Sequence, residues 1–107
     1  MSLASKQDID HFVKEAEEIL GDRLEDVILY GSYARKDYVP GSDIDILFLV
    51  TDKEDNDWSK VSKKGNKYFL DKNIRFSPKI LEKDKFENRK NESAGFYNEV
   101  SEEGVKL

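Results

Sequence analysis

Residues 24–50 read LEDVILYGSYARKDYVPGSDIDILFLV, in which two apolar runs stand on either side of a polar connection. The runs at 27–30 and 44–50 are too short for buried helices, but their aliphatic and β-branched residues suit the strands of a buried sheet. We therefore predict two adjacent strands at these positions. The polar groups that could carry chemistry then lie in the connection and where it meets the second strand.

The connection begins with Gly31 and Ser32. Glycine permits a backbone turn that a Cβ atom would obstruct, and serine is a favourable N-cap, so we predict a short helix that starts at Ser32 and includes Arg35. The free N–H groups at a helix start bind anions. Arg35 and Lys36 fit two arrangements, contact with a bound triphosphate or exposure as solvated charges, and the sequence leaves both open.

Asp43 and Asp45 mark the start of the second apolar run. On a strand, residues two apart point to the same face with their Cα atoms about 6.5–7 Å apart. Two such carboxylates can share a magnesium ion, which takes oxygen ligands and is usually held by one or two carboxylates together with substrate phosphates and water. The pair therefore predicts phosphoryl or nucleotidyl transfer.

Each motif also has a purely structural interpretation, because glycine, serine and aspartate all favour turns. Either motif alone fits that interpretation better. Their combination at this spacing, each beside a predicted strand, indicates a functional site.

The bulk composition limits the classes of function. There are 23 acidic and 18 basic residues, and a net charge of −5 disfavours unaided binding to nucleic acid or to a membrane surface. The longest apolar run, 46–50, is far too short to span a membrane. Cysteine is absent, which excludes disulfides and thiolate metal sites and is compatible with a cytoplasmic protein.

The segments GSYAR at 31–35 and SDIDI at 42–46 together resemble the signature of the minimal nucleotidyltransferases, a small branch of the DNA-polymerase-β-like superfamily. The tail, 95–105, also resembles the ends of such proteins. The resemblance implies an α+β nucleotidyltransferase fold with a small mixed β-sheet flanked by helices, as a single domain over residues 1–107. It implies that Asp43 and Asp45 are catalytic and bind Mg2+. The residues that it implies for nucleotide binding are Gly31, Ser32, Arg35 and Ser42.

Enzymes of this superfamily carry a third carboxylate on a later strand, beside the Asp-x-Asp strand. Alternating polar and apolar residues predict that strand at 69–81, and Pro78 indicates that the strand lies at a sheet edge or is broken there. The polar positions in its middle, Asn73, Arg75, Ser77 and Lys79, offer no carboxylate. Asp71 has the right parity and is the remaining candidate for a third metal ligand, although a turn role is the more common one for aspartate.

Two classes of function follow from the resemblance. In the first, the chain is an enzyme that transfers a nucleoside monophosphate, AMP from ATP, to an acceptor hydroxyl. A length of 107 residues leaves no room for a separate acceptor-binding domain, which favours an acceptor on a partner protein. In the second, the chain is a catalytically degenerate nucleotide-binding or antitoxin module that acts by binding a helical HEPN-type partner, because similar proteins often form toxin–antitoxin pairs with HEPN proteins.

The remaining elements follow from periodicity and stop signals. Helical spacing predicts a first helix at 6–20, ended by Gly21, and a further helix at 58–68. A short charged helix is predicted at 84–91 and an apolar-striped last helix from Phe96, ended by Gly104. Pro40 and Gly41 predict a turn in the loop that leads to Asp43.

Overall fold

The computed structural model describes residues 6–39, 41–89 and 95–107, and in these ranges it confirms the predicted α+β fold with a mixed sheet flanked by helices. In chain order the elements are α1 Lys6–Leu20, a 3₁₀ turn Gly21–Arg23, β1 Leu24–Tyr30, α2 Ser32–Arg35, β2 Ile44–Val50, α3 Asp57–Lys72, β3 Phe76–Glu82, α4 Lys83–Arg89, α5 Gly95–Glu103 and β4 Val105–Lys106. No helix in the described ranges combines the length and apolar character that a membrane span requires.

The sheet has the strand order β3-β2-β1-β4. β1 and β2 are neighbours, as predicted; they pair antiparallel, and Tyr30 lies opposite Asp45. β2 and β3 are parallel, which brings Ser77 of β3 opposite Asp45 from the other side. Asp45 therefore lies between Tyr30 on β1 and Ser77 on β3.

β2 is buried on both faces, which explains its uninterrupted apolar sequence. On one face, Ile44, Ile46 and Phe48 belong to a core cluster shared with α1 and α3. On the other face, Leu47 and Leu49 pack in a second cluster that includes side chains of α4 and α5. Because side chains alternate along a strand, Asp45 points to the face of Leu47, toward α5.

α1 has the predicted bounds, and the following Gly21 adopts a φ of 59°. The ring of Phe12 in α1 stacks on that of Phe76 in β3, with centroids 4.2 Å apart, and contacts Phe48 edge-on. These aromatic contacts anchor α1 across β2 and β3.

The predicted strand at 69–81 is wrong over its first part, because α3 continues to Lys72 and β3 begins only at Phe76. Asn73 ends the helix in the left-handed conformation, with its N–H bonded to the carbonyl of Phe69 at 2.9 Å. Gly65 lies within the helix, where an added Cβ atom would be 3.4 Å from the ring of Phe12, and it does not break the helix. The predicted edge position of Pro78 is confirmed.

The last elements agree closely with the prediction. α4 covers Lys83–Arg89, and the predicted end at 91 lies outside the described residues. α5 stops immediately before Gly104, as expected. The two-residue strand β4 was not predicted; it pairs with β1 at the sheet edge. Pro40 of the predicted turn lies outside the described ranges, whereas Gly41 has a φ of 90°.

Candidate functional site

Gly31 joins β1 to α2 and has a φ of 77°, a conformation that favours glycine. Its carbonyl accepts hydrogen bonds from the N–H groups of Ala34 and Arg35, each at 3.1 Å. A Cβ atom at this position would overlap the Oδ2 atom of Asp45. Glycine is thus required both by the backbone conformation and by the neighbouring carboxylate.

The predicted N-cap role of Ser32 is wrong, because Gly31 occupies the N-cap position and Ser32 is the first residue of α2. No side-chain hydrogen bond caps this helix. The turn at Gly31, rather than a serine cap, therefore precedes the helix.

Asp43 and Asp45 come together at the start of β2. Asp43 is exposed and Asp45 is partly buried. Burial raises the pKa of Asp45, and the negative charges of Asp43 and Glu99 raise it further. The positive charge of Lys79 and a hydrogen bond donated by the hydroxyl of Ser77 act in the opposite direction. The charge of Asp43 thus acts on Asp45, and the surroundings of Asp45 carry an excess of negative charge.

These residues fit a magnesium ion. Two mutually repelling carboxylates supply the oxygen ligands that magnesium prefers, and a divalent cation would offset the repulsion that raises the pKa of Asp45. Within the described ranges, no three His, Cys, Asp or Glu side chains are grouped so that they could hold a metal by themselves. The remaining ligands of a magnesium ion would then be substrate phosphates and water.

The place beside Asp45 on β3 is taken by Ser77, not by a carboxylate. Asp71 is not on this strand: it lies in the last turn of α3, exposed, in a small cleft with Tyr68 and Lys72. The prediction that Asp71 lies on the strand is therefore wrong, and the structure does not bring it together with Asp43 and Asp45.

Two further groups near Asp45 could not be identified from the sequence. Tyr30 is 5% exposed, and its hydroxyl has no hydrogen-bond partner among the described residues. Burial raises the pKa of Tyr30, with added effects of Asp45 and Glu99, so the phenol stays protonated. Glu99 reaches the site from α5, where Phe96, one turn earlier, packs edge-on against Tyr30 with centroids 5.4 Å apart. Only the docking of α5 reveals both residues, since neither belongs to a sequence motif.

Arg35 is exposed at the end of α2, and its charge is paired with carboxylates. Its guanidinium donates hydrogen bonds to Asp37 at 3.1 Å and to Glu103 at 3.0 Å, and it lies 3.9 Å from Glu99. Glu99 and Glu103 of α5 therefore lie close to the guanidinium of Arg35, the group that is predicted to contact phosphate. The proposed contact of Arg35 with a nucleotide remains a prediction.

Ser42 stabilises the loop that precedes Asp43. Its hydroxyl accepts a hydrogen bond from the N–H of Val39 at 3.0 Å, and its own N–H donates to the carbonyl of Val39 at 3.0 Å. A nucleotide contact by Ser42 remains a prediction as well.

A cleft of about 620 Å³ lies between α3 and β3 and reaches Asp43. Its polar lining includes Ser62, Lys63 and Arg75, and its apolar lining includes Trp58 and Phe69. The sequence does not predict this cleft, because the cleft depends on how α3 packs against β3.

The chain matches known proteins in sequence and in structure. The sequence model of a family described as Nucleotidyltransferase domain matches residues 9–107. A protein of Methanocaldococcus jannaschii, named "Putative protein adenylyltransferase", is 37% identical over 100 residues, which cover 92% of this chain and 94% of that protein.

Two solved structures have a similar fold. One is a toxin–antitoxin with AMP-PNP, 19% identical with a TM-score of 0.59, and the match covers 91% of this chain and 70% of that one. The other is a mutant of the toxin–antitoxin MntA–HpeT, 18% identical with a TM-score of 0.59 and the same coverage, 91% and 70%. At such identities the likeness shows the fold alone.

Proposed function

The chain belongs to the family described as Nucleotidyltransferase domain and is an enzyme of this class, and from that premise we propose that it transfers AMP from ATP, with Mg²⁺, to a hydroxyl group of a partner protein. The observation that carries the proposal is the contact between Gly31 and the carboxylate of Asp45. This contact places the turn that could bind phosphate next to the carboxylate pair that could bind magnesium. A triphosphate and its metal ion would then lie within reach of each other, as nucleotidyl transfer requires.

In this proposal, Asp43 and Asp45 hold Mg²⁺, which would neutralise charge on the phosphates. The Gly31-Ser32 turn contacts the phosphates through backbone N–H groups, and Arg35 and Ser42 contact the nucleotide. Ser77 holds the carboxylate of Asp45 by its hydrogen bond. Catalysis by these residues is mainly positioning and charge neutralisation.

The adenylyl group and the protein acceptor are proposed from the M. jannaschii relative, whose name describes a protein adenylyltransferase and whose match spans nearly the whole of both chains. A helical HEPN-type partner is proposed because the resemblance noted from the sequence suggests it and because proteins of similar fold occur in toxin–antitoxin pairs. The toxin–antitoxin role of this chain would then be that of the antitoxin.

A second candidate function is a degenerate module that binds nucleotide and partner without efficient transfer. The specific observation that favours it is Ser77, which stands opposite Asp45 where a third carboxylate is expected. General-base assistance contributes about 10²–10⁴-fold to a rate, so its absence would leave slow transfer while nucleotide binding persists. We therefore expect the isolated chain to bind Mg-ATP and to transfer AMP weakly unless a partner protein is present.

The test compares Asp43→Asn combined with Asp45→Asn against a control that removes two exposed charges elsewhere, Asp10→Asn combined with Asp55→Asn. Calorimetry with Mg-ATP should show binding by the wild type and the control and none by the Asp43/Asp45 variant. Incubation of the chain with a helical HEPN-type protein and ATP labelled at the α-phosphate should label that protein. Unchanged Mg-ATP binding by the Asp43/Asp45 variant would show that the two carboxylates have only a structural role.

A further inference from the structure

We propose that the cleft between α3 and β3 holds the acceptor, and that the acceptor is a protein segment with acidic side chains and an apolar anchor next to its reactive hydroxyl. This inference rests on the proposed function, because it specifies the second substrate of the same site. The cleft has a volume of about 620 Å³ and reaches Asp43, one of the two carboxylates of the site. A segment bound there would contact Asp43, the member of the pair that lines the cleft.

The direction of the reaction places the acceptor on this side. In nucleotidyl transfer the attacking oxygen and the leaving pyrophosphate stand roughly in line on opposite sides of the α-phosphorus. The Gly31 turn, which suits the phosphates, connects β1 to α2, whereas β3 lies on the far side of β2 from β1. With the pyrophosphate at the Gly31 turn, attack comes from the side of β3, where the cleft opens.

The transfer step is balanced without a further reactant. The oxygen of the acceptor hydroxyl forms a bond to the α-phosphorus of ATP, and the bond from that phosphorus to the bridging oxygen of the β-phosphate breaks. Pyrophosphate leaves with the electron pair of the broken bond. The hydroxyl proton passes to solvent water.

The charge of the cleft points to an acidic acceptor segment. Lys63 and Arg75 line it, both are exposed, and neither forms an ion pair with any residue at 6–39, 41–89 or 95–107. The guanidinium of Arg75 lies 5.0 Å from the ring centroid of Phe69, which keeps it at the cleft wall. The chain has a net charge of −5, so these two cations form a local positive site on a negatively charged protein. A positive site favours binding of a segment with negative charges.

The apolar lining points to an anchoring side chain on the same segment. Trp58 is 54% exposed and Phe69 is 41% exposed, although both are large and apolar. The indole N–H of Trp58 donates to the carbonyl of Pro78 at 3.1 Å, which fixes the ring as a wall. Exposed aromatic groups next to a cleft are typical of anchor sites at interfaces.

One polar atom in the cleft lining lacks a partner. The hydroxyl of Ser62 is buried and forms no hydrogen bond with any described residue. A buried polar group without a partner is costly, and a polar group of a bound segment would satisfy it.

A protein segment suits the cleft better than a nucleic acid. Nucleic-acid binding depends on neutralising many phosphates, whereas this cleft offers two cations and ends at the carboxylate of Asp43. The remaining lining consists largely of aromatic residues, proline and small polar residues, which match a folded or extended peptide.

The test uses two synthetic peptides of equal length, each with one tyrosine, one serine and one leucine. The remaining residues are glutamate and aspartate in one peptide and lysine in the other. Each is incubated with the full chain, Mg²⁺ and ATP labelled at the α-phosphate, and a single-stranded oligonucleotide of the same charge as the acidic peptide serves as the third acceptor. We expect the acidic peptide to be labelled in preference to the other two.

The variants are Lys63→Glu combined with Arg75→Gln, and Lys67→Glu as the control. Lys67 lies on the same helix as Lys63 and is also exposed, but it lines a different cleft. Labelling of the acidic peptide should fall about tenfold in the first variant, because two favourable charge interactions are lost and a repulsive one is introduced. Labelling should be unchanged in Lys67→Glu, and Mg-ATP affinity should be unchanged in both variants.

The inference is overturned if the two variants label the acidic peptide equally, or if the lysine peptide or the oligonucleotide is labelled as well as the acidic peptide. It is also overturned if the wild type binds Mg-ATP but labels no peptide. Absence of Mg-ATP binding by the wild type is a different result, because it overturns the proposed function itself and the inference together with it.

Discussion

The carboxylate of Asp45 lies against the α-carbon of Gly31, so closely that a Cβ atom at residue 31 would overlap its Oδ2 atom. This contact joins the two sequence motifs, which are separated along the chain by the loop that leads to Asp43. It arises because β1 and β2 pair antiparallel, with Tyr30 opposite Asp45, so that the residue after the end of β1 faces the start of β2.

Gly31→Ala should destabilise the fold and abolish Mg-ATP binding. A left-handed φ costs alanine about 1–2 kcal/mol, and the new methyl group would also displace the carboxylate of Asp45. Gly21→Ala is the matched control, because Gly21 has a φ of 59° and a Cβ atom added there would have no atom within 4 Å. Urea unfolding should show a lower free energy of unfolding for both variants. Calorimetry should show a loss of Mg-ATP binding only for Gly31→Ala. Equal nucleotide binding by the two variants would contradict the role given to this contact.

The central part of the site was predictable because it rests on local patterns. The apolar blocks gave β1 and β2, and the motifs at Gly31 and Asp43 mark their ends. The last turn of α3 was not predictable. Leu70 is 80% exposed and Phe69 is 41% exposed there, and apolar residues at an exposed helix end resemble the start of a strand. The position of Glu99 near the site and the formation of the α3–β3 cleft depend on how distant segments pack together. Local periodicity in the sequence does not predict such packing.

Asp45→Asn should raise the free energy of unfolding at neutral pH when no metal ion is present. Burial raises the pKa of Asp45 in the folded chain, so its ionised form is less stable there than in the unfolded chain. The protonated carboxyl of Asp45 therefore adds to stability below the unfolded pKa of about 3.9. This stabilisation is lost as the pH rises through the raised pKa of the folded chain. Chemical denaturation of wild type and variant across pH 3–8, in buffer with a chelator, measures the difference. A variant that is less stable than wild type at pH 7 under these conditions would contradict the assignment.

Asp57→Asn should lower stability by about 2–4 kcal/mol, because it breaks a bidentate ion pair at the start of α3. Asp57 is 2% exposed and accepts hydrogen bonds from Arg23 at 2.8 and 2.9 Å and from the N–H of Glu54 at 2.8 Å. The hydrogen bond with Arg23 lowers the pKa of Asp57, so its stabilisation is present above the unfolded pKa and is lost as the pH falls through the folded value. The stability gap between wild type and variant should therefore narrow in acid. Asp55→Asn, an exposed neighbour, should leave stability within about 0.5 kcal/mol of wild type.

Ser77→Asp should distinguish an enzyme that lacks one carboxylate from a module that only binds. Ser77 stands opposite Asp45, so an aspartate there would add a third carboxylate to the magnesium-binding pair. Without metal, the added charge should raise the pKa of Asp45 further and lower stability at neutral pH. With Mg-ATP and a protein acceptor, transfer should rise by up to about 10²-fold if the missing group limits the rate.

Ser77→Asn is the matched control for this variant, because the asparagine side chain has nearly the same shape as aspartate but no charge. This control should not accelerate transfer. Asp71→Ala should leave transfer unchanged, because Asp71 lies in the last turn of α3 and not on β3. If Ser77→Asp binds Mg-ATP as wild type does but transfers no faster than Ser77→Asn, the third carboxylate is not the limiting group. The slow step would then depend on the acceptor, and the partner protein would have to supply what β3 lacks.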